Sequence, residues 1–150
     1  MKTIDITNIY QLLNSAKLTK MDDADKIKVI KTLRVIKPIS KGYEDFATEA
    51  QNKLMGENHA EMQKKAEKWN KEHQNQKYSD LSAEEVEELK SITGYFDAYN
   101  QRVAECLRDE AEKEQTLEYE RLSGDAFSKL VASNDWTCGQ ILFISDFLEK

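Results

Sequence analysis

Turn-forming residues are scarce in this chain. One proline and five glycines among 150 residues leave too few turns for a sandwich or barrel, which needs them about every 8–12 positions. No apolar run approaches the roughly 20 residues of a membrane-spanning helix, and the opening MKTIDITNIYQLL lacks the apolar core of a secretory signal. The only two cysteines, Cys106 and Cys138, lie in separate segments and read as reduced thiols rather than a bridge. The expectation is a soluble, acidic helical protein made inside the cell.

Chemical signatures are missing too. There is no H-E-x-x-H and no C-x-x-C, and neither His59 nor His73 follows a glutamate by three positions, as a di-iron bundle requires. Neither a G-x-x-x-x-G-K-[ST] nor a G-x-G-x-x-G cradle occurs. The two histidines fall in a polar stretch and are expected at the surface. Cys138, at a helix start, is expected as a small buried residue of the cap. The sequence therefore predicts no catalytic residue, no metal ligand, no cofactor and no enzyme.

What is present is helix. Hydrophobic residues make up 39% and charged residues 33%, the balance of a heavily solvated all-α protein. Residues 22–54 are charged throughout, with Ile30, Leu33, Ile36, Tyr43, Phe46, Ala47, Ala50 and Leu54 recurring at steps of three and four. Asp22 can cap that start, and at about 1.5 Å per residue the run spans roughly 50 Å. Pro38 removes a hydrogen bond inside it, which predicts a kink near Ile36 or, alternatively, a break. Gly56 offers a C-cap.

A second long helix follows the capping box Ser82-Ala83-Glu84-Glu85 and runs over 82–114, with Val86, Leu89, Ile92, Tyr95, Phe96, Tyr99, Val103 and Leu107 on one face. Gly94 within it suggests a close helix approach or a bend. Between the two, 59–74 carries only a thin stripe of Ala60, Met62, Ala66 and Trp69, the mark of a surface helix, and 72–80 reads as a loop. Thr7 can cap a short first helix. Ser123 or Asp125 starts a short helix near the end, and Thr137 with Gln140 caps a last, strongly apolar one, expected to dock on the two long helices. Leu117 and Tyr119 alternate with charge, as do Ile4 and Ile6, so a small two-stranded pairing of 3–6 with 116–122 is an option. The reading is one helical domain over 1–150, an elongated hairpin or bundle.

Charge is sorted along the chain. Net charge is −6, yet residues 17–41 hold eight bases against three acids and residues 82–120 hold twelve acids against four bases. Either the rims of the two long helices attract one another, or a charged face is kept for a partner. Lys28, Lys31, Arg34 and Lys41 on one side and Glu84, Glu88, Glu105 and Asp109 on the other are the candidate partner-binding residues. The bulk negative charge and the lack of interleaved aromatics argue against nucleic acid, which leaves a protein partner.

The opening IYQLLNSAKLTKMDDADKIKVIKTLRVIKPI and the closing LEYERLSGDAFSKLVASNDWTCGQILFISDFL resemble a family of small helical proteins of unassigned function from tailed bacteriophages and prophages of gut anaerobes. The two stretches cover about half the chain, and 57–80 lies outside the likeness. The resemblance implies a phage-derived protein, a minor virion structural or assembly component binding another virion protein or itself. A phage-encoded acidic inhibitor of a host protein is the alternative. It implies no functional residues.

Overall fold

The computed structural model describes all residues, 1–150. It is all-helical, with six α-helices and no strand: α1 Thr3–Asn14, α2 Asp23–Leu54, α3 His59–Glu72, α4 Ala83–Glu112, α5 Gly124–Ala132 and α6 Cys138–Leu148. A 3-10 turn at Tyr78–Asp80 interrupts the loop before α4. No helix is long and apolar enough to cross a membrane. The chain divides into two compact units, Met1–Asp45 with Asp109–Lys150, and Phe46–Arg108.

The first unit holds the larger core. Ile6, Ile9 and Leu13 of α1, Val29 and Ile36 of α2, Leu130 of α5, and Ile144, Phe147 and Leu148 of α6 are buried together with Met21 and Leu122. Each such side chain removed from water is worth about 1.5–3 kcal/mol, so this cluster dominates the stability of the unit. The last helix therefore docks on α1, α5 and the first half of α2. Contrary to expectation, α4 adds no residue to that cluster, because its buried Ile92, Tyr99 and Val103 belong to the other unit.

Residues 3–6 form no strand. Ile6, Ile9 and Leu13 share a helix face, and burying all three is worth more than the alternation of Ile4 with Ile6. Helix thus begins at Thr3, and Thr7 is not a cap: its Oγ1 donates to the Thr3 carbonyl at 3.0 Å inside the helix. No bridge joins 3–6 to 116–122; the nearest one, Lys2 with Glu114, lies just outside both stretches. Leu122 joins the C-terminal tail instead, its amide donating to the Leu148 carbonyl at 2.7 Å. The segment between stays extended because Leu117 and Tyr119 point into the core and the Tyr119 hydroxyl donates to the Phe147 carbonyl at 2.8 Å.

α2 is continuous through Pro38, which excludes the break. Pro38 lies on the exposed side, where water can take up the Arg34 carbonyl that loses its donor. The buried face in this half of α2 is Val29, Thr32, Ile36 and Ser40, whereas Ile30 is exposed. The Asp22 carboxylate accepts from Lys129 Nζ at 2.9 Å, so it ties the start of α2 to α5.

The connection 17–20 is held by the turn after α5. Asn134 accepts from the Lys17 amide at 2.7 Å and donates to the Lys17 carbonyl at 2.8 Å, and Ser133 accepts from the Lys20 amide. Three capping predictions hold. Ser82 and Glu85 bond each other's backbone amides, Thr137 and Gln140 do the same, and Ser123 accepts from the Ala126 amide. Gly56 is not a left-handed cap, since no residue has positive φ. Gly94 marks no close approach, because a Cβ there would meet nothing within 4 Å.

The second unit has a thinner apolar core of Ala50, Trp69, Ile92, Tyr99 and Val103. His59 completes it. This histidine is buried, not exposed as its polar neighbours suggested, and its Nδ1 lies 3.0 Å from the Tyr95 hydroxyl. Its ring centroid sits 4.7 Å from Tyr99, 5.7 Å from Tyr95 and 5.8 Å from Phe96. His73 is also mostly covered: it stacks on Trp69 at 3.7 Å and bonds the Trp69 carbonyl through Nδ1. His59, Met62, Ala66, Trp69 and His73 recur at steps of three and four, so the stripe on α3 includes both histidines.

Candidate interaction surface

The charged residues singled out in the sequence separate into two kinds. Lys28 is committed within the chain, with Nζ 3.3 Å from both Glu120 and Asp25. Hydrogen bonding to Glu120 first, and to Asp25 next, raises its pKa above the ordinary lysine value. It stitches α2 to the extended segment before α5.

Lys31, Arg34 and Lys41 are exposed and make no ion pair. At 100° per residue they lie on one side of α2. Ile27, Ile30 and Val35 share that side and remain 52%, 42% and 37% exposed. The outward face of α2 is therefore apolar and basic at once. Sequence periodicity had placed Ile30 on the buried side, and Ile27 and Val35 were not singled out at all. The missed signal was a second set of apolar positions, 27, 30 and 35, on the side of the helix away from the inward 29, 33 and 36.

Glu84, Glu88, Glu105 and Asp109 are exposed on α4. Positions 4, 21 and 25 residues beyond Glu84 fall close to whole turns, so all four carboxylates return to one side of the helix. Glu105 accepts a bond from Gln101 at 3.3 Å, and no ion pair engages any of the four.

Elsewhere the structure offers little to chemistry. A groove of about 570 Å³ between α1 and α6 is lined by Asn8, Gln11, Leu12, Gln140 and Phe143 among others. No ionisable side chain lines it, so it presents no general acid or base. No three His, Cys, Asp or Glu side chains converge where a metal could be held. Both Cys106 and Cys138 are free and exposed. The exposure of Cys138 corrects its expected place inside the cap: the Thr137–Gln140 box is closed without it.

The chain matches no family model, no curated protein and no solved structure.

Proposed function

We propose that this chain is a non-enzymatic protein-interaction module, made as a minor virion structural or assembly component of a tailed phage or prophage. The observation that carries the interaction reading is the outward face of α2. Ile27, Ile30 and Val35 stay in water beside Lys31 and Arg34, and such a mixed apolar and charged face has the chemistry of a protein contact. The phage setting rests on the resemblance of the opening and closing segments. Mass spectrometry of purified virions and of assembly intermediates from the encoding strain tests it. The chain is expected in one or both, and deletion of its gene is expected to lower particle yield. Absence from both, with unchanged yield, overturns the reading.

The exposed carboxylates Glu84, Glu88, Glu105 and Asp109 favour a second reading, a phage-encoded acidic inhibitor that occupies a basic surface of a host protein. That binding would weaken steeply with salt, and it would leave virion composition independent of the chain.

A further inference from the structure

We propose that the outward face of α2 binds a second copy of this chain, through the acidic outward face of that copy's α4. The inference rests on reading these faces as an interaction surface and adds the identity of the partner. Both halves of a complementary pair are present on one chain. α2 offers Ile27, Ile30 and Val35 with Lys31, Arg34 and Lys41, all exposed and with the three bases in no ion pair. α4 offers carboxylates at both ends of one side, Glu84 and Glu88 near its start and Glu105 and Asp109 near its end, with Arg102 the one base on that side.

Between the two acidic clusters the same side of α4 carries the exposed small residues Ser91, Gly94 and Ala98 together with the half-buried Tyr95 and the exposed Arg102. The space above Gly94 is open, since a Cβ there would meet nothing within 4 Å. Lys31 and Arg34, about 4.5 Å apart along α2, match in spacing the cluster of Glu105 and Asp109, about 6 Å apart along α4, and Ile30 and Val35 on either side of the two bases pack on the exposed stretch beside that cluster. Exposed ion pairs contribute little singly, so in this contact the apolar side chains supply the affinity and the charges supply register and choice of partner. Nucleic acid is the other polyanion a basic face can bind. The exposed isoleucines, the absence of aromatics among them and the net charge of −6 favour the protein partner. Because one face binds a different face of the next copy, the contact is heterologous and builds rings or growing chains.

The test is light scattering behind size exclusion on the full chain, over a range of concentrations at low and high salt. One variant carries Lys31→Glu and Arg34→Glu, and a second carries Glu105→Lys and Asp109→Lys. All four positions are exposed, and far-UV circular dichroism verifies the fold of each. The wild type is expected to gain mass with concentration, less so at high salt. Each variant alone should self-associate about tenfold more weakly or worse. An equal mixture of the two should regain association, because each supplies the face the other requires. Both variants keep a net negative charge, so bulk attraction cannot mimic that rescue. A wild type that stays monomeric overturns the proposal, as does association that survives both reversals, a mixture that shows no rescue, or association that requires added nucleic acid. None of these outcomes alters the virion measurement, so the two readings fail separately.

Discussion

At the scale of single residues, Phe147 and Ser40 show two opposite uses of burial. Phe147 is fully buried, stacks on Tyr119 with centroids 4.4 Å apart, and offers its carbonyl to the Tyr119 hydroxyl. Truncation leaves a cavity as well as lost transfer energy, so Phe147→Ala is expected to cost about 3–5 kcal/mol in urea unfolding. A loss below about 1 kcal/mol would mean the site collapses around the gap. Ser40 is fully buried, and its hydroxyl has no hydrogen-bond partner. A buried hydroxyl without a partner costs about 1–3 kcal/mol. Ser40→Ala is therefore expected to leave stability unchanged or raise it by about 1 kcal/mol, read as a shift in the urea midpoint. A clear destabilisation would show that the hydroxyl is satisfied in solution.

At the scale of elements, α2 tolerates a residue that ordinarily ends a helix. Pro38 lies on its exposed side with no packing role visible around it, and proline inside a helix costs about 3 kcal/mol against alanine. Pro38→Ala is expected to stabilise the chain by about 1–3 kcal/mol, measured by chemical denaturation. No gain would indicate that the helix has adapted to proline by bending where alanine would not. The Lys129 clamp joins two elements: its Nζ reaches Asp22 at 2.9 Å and Asp125 at 3.1 Å. Hydrogen bonding, first to Asp22, raises its pKa above the ordinary lysine value. A raised lysine pKa contributes stability that is complete below the unfolded value and is lost as pH climbs through the folded one. Thermal unfolding from neutral pH to beyond the lysine range should show a smaller alkaline fall for Lys129→Gln than for wild type. Equal falls would mean the exposed clamp contributes nothing measurable.

At the scale of the whole molecule, two compact units differ in how they are built. The unit of Met1–Asp45 and Asp109–Lys150 closes the chain on itself, with Met1 N and Lys2 Nζ reaching Glu114 and Glu112 at 2.6 and 2.7 Å, over thirteen buried apolar residues. The unit of Phe46–Arg108 relies on a handful of apolar side chains around His59 and Trp69. Local opening follows the density of buried contacts. Amide exchange is therefore expected to be faster across α3 than across α6, and equal protection would mean the aromatic cluster around His59 holds as firmly as the aliphatic core.

The sequence by itself determined the helical class, the six helices within a few residues, and three of the caps, because capping boxes and helical periods are local and act over three or four positions. It also located the basic and acidic stretches and the charged pairs of the candidate faces, but not the exposed Ile27, Ile30 and Val35 of α2 or the small residues Ser91, Gly94 and Ala98 of α4 as part of them. Tertiary structure decided the rest. Whether Ile4 to Ile6 became strand or helix depended on what lay opposite Ile6 and Ile9. Whether His59 faced solvent depended on Tyr95 and Tyr99, thirty-six and forty residues away. Which of two sets of apolar residues on α2 turned inward was set by α1, α5 and α6, and the set left outside is the exposed one on which the proposed interaction rests. Burial is a property of partners distant in the chain, and no window of local sequence contains them.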